Sequence, residues 1–344
     1  MIFLKLKMQN NSRALLLTNL GSPDSPSVKD VRRYLNEFLM DGRVIDFPWF
    51  FRFLIMRCIV VPRRAPESAA AYRKIWTKEG SPLIVLTEKL KNAVQEKANF
   101  PVAFSMRYQN PTPKSAIDEL YRNNPDLKEL VVLPLYPHYT MSSYDTAVEQ
   151  VRQVHKKGRY PFKLKFLSPF YNHSAYITAL SESIKPYLKK DYDKILFSYH
   201  GLPERHLRKD EERMVKGAIT EYHLPDINYQ KQCFETTRLV AELLNIPEDK
   251  FEITFQSRLT SAGAEWIKPY TTLRLKEMPS EGIKQLLVVC PAFINDCLET
   301  LEEIAMQEKE NFINAGGDSL TLIPCINDRE QFAETIVDWV ENGQ

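Results

Sequence analysis

Apolar residues fall into eight short runs bounded by turn-forming residues: Ala14 to Thr18, Val102 to Met106, Leu130 to Leu135, Phe162 to Leu167, Ile195 to Tyr199, Phe251 to Phe255, Leu286 to Val289 and Leu320 to Ile323. Runs that are apolar throughout, rather than alternating, read as strands buried on both faces. Between them the apolar period changes to three and four. Val31, Leu35, Phe38 and Leu39 share one face of Val28 to Met40, where Ser27 and Asp30 form a capping-box-like start and Gly42 follows the end. Cys233, Thr236, Val240, Leu243 and Leu244 form a similar stripe on Gln232 to Leu244. Buried strands alternating with amphipathic helices predict an α/β protein with parallel sheets. The eight strands divide at about Tyr160 into two doubly wound halves of four strands, with no repeat at the residue level. The closing helix, Asp328 to Val340, presents Phe332, Ile336, Trp339 and Val340 at helical spacing and is expected to pack back on the first half. The expected lobes are therefore residues 1–160 plus 326–344, and residues 161–325.

Composition narrows the function classes. A chain of 344 residues is long enough for two domains, each with its own core. Its 46 Lys and Arg against 44 Asp and Glu leave a net charge of +2, which argues against nucleic acid as the main partner. The five cysteines include an odd one and no C-x-x-C pair, which points to a reducing compartment rather than a disulfide framework. The apolar, basic start Met1 to Lys7 is too short for a secretory signal and is read as a cytoplasmic amino terminus. Phe47 to Val61 is the most apolar stretch, but Arg52 and Arg57 interrupt it and it falls short of the roughly 20 residues a membrane span needs. It is expected to lie on a membrane or to form a helix with two snorkelling arginines, not to cross a bilayer.

In doubly wound folds ligands sit beyond the carboxyl ends of the strands, so chemistry is sought there. The first strand runs into Asn19, Leu20 and Gly21, a single-glycine turn without a nucleotide-binding fingerprint. The third is followed by an aromatic, hydroxyl-rich loop from Pro134 to Tyr144 that includes His138, Tyr139 and Ser143, one wall for a flat ligand. The fifth ends at His200–Gly201. A His aimed into the crevice is equally a structural residue or an acid/base and metal-handling one. The seventh leads into Asp296, Glu299 and Glu303. Glu299 and Glu303, four residues apart, repel on one helix face unless one carboxyl takes a proton or a cation lies between them. One His with several carboxylates is no closed structural zinc site. It suits a site that handles a metal or protons in passing.

These residues resemble the ferrochelatase family, bacterial type, over nearly the whole chain. The resemblance rests on Leu16 to Pro23, Tyr34 to Leu39, Tyr72 to Trp76 with Gly80 to Leu83, Ser198 to Pro203, Phe255 to Arg258, and Cys297 to Leu301. It implies two Rossmann-like lobes of the chelatase fold and a lyase that inserts Fe2+ into protoporphyrin IX, forming haem b and releasing two protons. His200 and Glu299 correspond to the catalytic pair, and His200, Glu299, Glu303 and Asp296 to a metal-handling path. Leu20, Trp266 and Phe293 match macrocycle contacts, and Arg107, Tyr108 and Tyr139 match cavity-facing positions. Arg63, Arg64, Tyr72 and Ser81 match groups that hold the propionates, where a guanidinium suits a carboxylate best. Phe47 to Val61 corresponds to a lip that receives the insoluble porphyrin and touches a membrane. Fe2+ enters as substrate, with no permanently bound cofactor and no nucleic-acid partner. The implied protein is a monomer, cytoplasmic and peripheral on the inner membrane.

The chain departs from the family pattern in three places. Cys297 stands where many members have a His, and the loop Tyr139 to Tyr144 lacks the family's Thr-Thr-Gly run. No Cys follows Cys325, so no iron–sulfur cluster is expected. The alternatives are a coproporphyrin III ferrochelatase or another class II tetrapyrrole chelatase, and, more remotely, a porphyrin or haem carrier without turnover.

Overall fold

The computed structural model describes residues 12–217, 224–258 and 265–344; Met1 to Lys7, read above as a cytoplasmic start, lies outside the described residues. All eight expected strands form. The first sheet holds Arg13–Gly21 (β1), Val102–Tyr108 (β2), Glu129–Pro134 (β3) and Lys163–Phe166 (β4), parallel in the order β2-β1-β3-β4. The second holds Lys194–His200 (β5), Phe251–Gln256 (β6), Gln285–Val289 (β7) and Ser319–Leu322 (β8), parallel in the order β6-β5-β7-β8. The topology therefore repeats although the residues do not. In each sheet the strand order reverses between the first and third strands of the half, which puts a switch-point crevice at the carboxyl ends of β1 and β3, and of β5 and β7.

The strands alternate between two environments, as a pleat requires. Ala14, Leu16, Leu130 and Val132 face the helices Pro113–Asn123 and Thr146–Gly158. Leu15, Leu17, Val131 and Leu133 face the other way, into a cluster that also takes Ile195, Phe197, Tyr199, Leu287 and Val289 of the second sheet. The two halves thus share one inner core, while each also buries a separate cluster on its outer face. The closing helix Glu330–Glu341 packs against both Pro82–Lys97 and Ser174–Ile184, not on the first half alone. β4 pairs with β3 throughout its length, so a division at residue 160 would detach the edge strand from its sheet.

Two local features depart from the sequence reading. β1 continues through Asn19 to Gly21 instead of turning there. Gly21, at φ 107°, lies against β2 so closely that an added Cβ would sit 2.0 Å from the Tyr108 carbonyl oxygen. Glycine is required there by close approach and backbone angle rather than by a tight turn. The apolar stretch is helical, Trp49–Arg52 running into a wide-turn segment, Phe53–Val60, and then Val61–Ile75. Among the described residues no helix is long and apolar enough to cross a membrane.

Candidate active site

His200 is the last residue of β5, half-buried at the switch point. Gly201 follows it because its backbone N–H bonds the Gln256 carbonyl at 2.8 Å, where a Cβ would come within 2.7 Å of that oxygen. The His200 Nδ1 lies 2.7 Å from the Gly201 carbonyl oxygen. A carbonyl only accepts, so Nδ1 carries the hydrogen and Nε2 holds the lone pair. Burial pushes the His200 pKa down, partly opposed by the Glu299 carboxylate and the Gly201 carbonyl. The ring is therefore kept neutral, as a base. Tyr229 donates to the His200 carbonyl at 3.0 Å, and the Phe293 ring centre lies 6.4 Å from the imidazole.

Glu299 opens a wide-turn helical segment, Glu299–Glu308, beyond β7. Gln256, at the end of β6, donates to the Glu299 carbonyl at 3.1 Å and accepts from Ser198 at 2.7 Å, tying this first turn to the strand that carries His200. Across the crevice the Glu299 charge, after burial, pushes up the phenol of Tyr72, and it also acts on that of Tyr34. Tyr72 therefore stays protonated, a donor to carboxylates. Glu303 is clasped by Ser257, whose N–H donates to one carboxylate oxygen at 2.8 Å and whose hydroxyl donates to the other at 2.5 Å. Ser257 adopts a left-handed backbone, φ 62°, to make this clasp. Burial, with help from the Glu299 charge and against the Ser257 bonds, pushes the Glu303 pKa up to about 7. A carboxyl that titrates near neutrality can exchange protons or accept a cation.

Other expected residues are placed differently. Asp296, expected on the metal path, is buried and fully engaged: it accepts from Thr300 at 3.0 Å and Asn327 at 2.7 Å, with the Cys325 N–H at 3.4 Å. It pins the start of the Glu299 segment to the turn before the closing helix. Tyr139, expected to face the cavity, is buried among Tyr144, Val148, Tyr171 and Leu224, because the wall it was read in folds into a satellite core. Tyr108 is buried and donates to Asp41 at 2.9 Å. Arg107 gives its guanidinium to Asp41 at 2.5 Å and to Thr146 at 2.8 Å, and stacks on Tyr108. Its charge is spent within the first lobe.

Leu20 is half-buried, and its N–H is held by the Asn19 side chain at 2.8 Å. Asn19 also bridges the lobes, donating to Thr87 at 3.0 Å and Asn295 at 3.1 Å. Trp266 is buried beside Gly201 with its indole N–H unpaired among the described residues. Ser81 is buried at the start of Pro82–Lys97. Arg63 and Arg64 are exposed on Val61–Ile75, outside any ion pair of the described residues, and Tyr72 is buried farther along that helix. Cys297 is a buried thiol held protonated by burial and by Glu299, so it is no ready metal ligand.

Sequence reasoning passed over Glu302, whose buried carboxylate takes Lys74 at 2.7 Å and joins the Glu299 segment to the helix of Tyr72. It also passed over the roles of Gln256 and Ser257, although both stand in the noted run Phe255 to Arg258.

The family pattern described as Ferrochelatase matches residues 12–344. A ferrochelatase of Pseudomonas putida is 44% identical over 341 residues, covering 96% of this chain and 99% of its own length. One of Pseudomonas aeruginosa is 43% identical over 332 residues, covering 94% and 96%. Among solved structures, SirB from Bacillus subtilis with Fe3+ is similar in fold alone, with a TM-score of 0.53 at 14% identity over 96% of each chain. With a pattern that spans every described element and relatives matched almost end to end, the chain belongs to the ferrochelatase family.

Proposed function

We propose that this ferrochelatase inserts Fe2+ into protoporphyrin IX, forming haem b and releasing two protons, with His200 as the base that takes a pyrrole proton. The observation that carries this reading is the His200 tautomer: Nδ1 is committed to the Gly201 carbonyl, and the lone pair is left on Nε2 of a ring that burial keeps neutral. A base of this kind receives a proton without first having to lose one. Glu299 and Glu303 guide the dication and offset its charge as it displaces the protons. Glu303, titrating at about 7, also suits a carrier for the second proton.

Leu20 and Phe293, both half-buried, supply apolar surface to the macrocycle, and the buried Trp266 packs beside Gly201. Tyr72 as a donor, with the exposed guanidiniums of Arg63 and Arg64, suits two propionates at one side of the crevice. Arg107 does not join them, since Asp41 neutralises it. Two guanidiniums outside any ion pair of the described residues fit a dianionic porphyrin better than the four carboxylates of coproporphyrin III. Trp49, Phe50 and Phe51 are more than half exposed, with Leu54, Ile55 and Ile59 beside them in exposure. Such an apolar surface supports a lip that receives the porphyrin and rests on a lipid surface.

Anaerobic metallation of protoporphyrin IX and coproporphyrin III at matched Fe2+ tests the substrate. Protoporphyrin is expected to react faster, and a large preference for coproporphyrin would overturn the assignment. A carrier would need no acidic groups, so Glu299→Gln separates the classes: turnover should collapse, whereas unchanged behaviour would favour carriage.

A further inference from the structure

Between Val28–Leu39 and the exposed lip lies a turn, residues 40–48, whose three charged side chains go to three destinations. Asp41 stays in the first lobe, with Arg107, Tyr108 and Thr146. Arg43 bonds Asp145 at 2.8 Å, and Asp145 in turn takes Arg213 of the second-lobe helix Glu204–Val215 at 2.9 Å. Asp46 goes wholly to that second-lobe helix. Its carboxylate accepts from Arg205 Nε at 3.0 Å and lies 2.9 Å from Arg205 Nη2; Lys209 also donates to it, and His206 Nε2 is 3.5 Å away. Burial would push the Asp46 carboxyl up, but Arg205 and Lys209 outweigh it and hold the pKa well below the usual range.

The neighbouring residues close the turn around this contact. The Arg205 guanidinium lies 5.5 Å from the centre of the Phe47 ring. Arg52, in the first turn of the lip, folds back to donate to the Ile45 carbonyl at 3.2 Å and the Phe47 carbonyl at 2.9 Å. Gly42 leaves room for it, since a Cβ there would sit 2.8 Å from an Arg52 guanidinium nitrogen. Beyond this knot the leading aromatic residues stand in solvent, with little packing of their own to fix a direction. The lip is held at both ends: its carboxyl end continues into Val61–Ile75, which packs on Val28–Leu39 of the first lobe, and its amino end is tied to the second lobe by Asp46 directly and by Arg43 through Asp145. The helix that Asp46 grips starts at Glu204, four residues after His200.

We infer that Asp46 is a positioning residue: by gripping Arg205 and Lys209 it fixes the apolar lip against the helix that follows His200, and so sets how tightly the macrocycle is held over that histidine. The inference rests on the reading of Phe47 to Val61 as a porphyrin-contacting lip. Asp46 touches neither porphyrin nor metal, and its effect is on binding more than on the insertion step.

The test is Asp46→Asn in the full-length enzyme, with protoporphyrin IX titrated by absorbance and Zn2+ insertion followed in a single turnover at saturating porphyrin. Expected is an increase of about tenfold in the porphyrin Kd, worth about 1.4 kcal/mol, with less than about a threefold change in the single-turnover rate. Arg205→Gln should weaken binding in the same direction, and the double variant should be no weaker than Asp46→Asn alone, because both act through one contact. A combined Trp49→Ala, Phe50→Ala and Phe51→Ala variant tests the lip separately. If that variant binds porphyrin normally, the lip reading fails. If it weakens binding while Asp46→Asn and Arg205→Gln bind as wild type, the lip stands and the anchor is wrong. Parallel loss of binding, turnover and melting temperature would also overturn the anchor, by showing a merely structural role. Should Asp46→Asn fail to fold, Arg205→Gln decides by the same readouts.

Discussion

Replacing Glu303 by Gln should make the protein more stable and a worse enzyme. The Glu303 pKa is moved from an ordinary 4.5 to about 7, chiefly by burial and then by the charge on Glu299. A folded-state pKa raised in this way favours the fold fully below pH 4.5, and that contribution is lost as pH rises through 7. At about 1.4 kcal/mol for each pH unit of displacement, the ionised carboxylate destabilises the fold by about 3 kcal/mol at pH 8.5. Gln is neutral at every pH and still offers an oxygen to the Ser257 donors. With an unfolding entropy of about 2.1 cal/mol/K per residue over 344 residues, the variant should melt about 4 °C higher at pH 8.5 and at nearly the wild-type temperature at pH 4. Thermal melts of both proteins across this range, with Fe2+ insertion measured alongside, provide the assay. A carboxylate kept at such a cost is explained by a dication or proton that needs it, so insertion should fall as stability rises. A difference in melting temperature independent of pH, or a loss of stability at pH 8.5, would refute the reasoning.

Two further predictions concern groups away from the reacting atoms. Thr236 gives its only hydrogen to the Tyr171 carbonyl, so His138 Nε2 donates to Thr236 and its Nδ1 has no partner among the described residues, and burial pushes its pKa down to about 3. A depressed folded-state pKa contributes stability above pH 6.5 that is lost as pH falls toward 3; His138→Gln should therefore flatten the acid limb of stability, measured by urea unfolding, by up to about 1.4 kcal/mol per pH unit, and identical limbs would contradict this. Asp296→Asn should lower stability by about 1–3 kcal/mol while leaving the KM for the metal unchanged, since Asp296 pins a helix start; a tenfold higher metal KM at normal stability would return it to the metal path.

The strands were legible because a strand buried on both faces writes an apolar run into the sequence. Their alternate packing into a shared core was not, since Leu15 and Ile195 meet one cluster only once both sheets exist. His200, just past one apolar run, and Glu299, on the helical segment that follows another, were expected at the site because a doubly wound fold puts its crevice beyond the carboxyl ends of its strands. The fates of Asp296, Arg107 and Tyr139 were hidden because each depends on a partner distant in the chain or on a fold-dependent wall: Asn327, Asp41 and the cluster around Tyr171. The same holds for Ser257, whose clasp on Glu303 spans 46 residues. A carboxylate in a functional stretch reads alike whether it caps a helix or faces a metal, and only its neighbours decide.

The central claim, that His200 takes a pyrrole proton while other groups hold the porphyrin, is tested most directly by His200→Ala under anaerobic conditions. Protoporphyrin IX is titrated by absorbance, and Fe2+ is then added at saturating porphyrin. The account predicts binding close to wild type with insertion reduced by about a hundredfold or more, the usual scale for losing a positioned base. Near-normal insertion by the variant would contradict it.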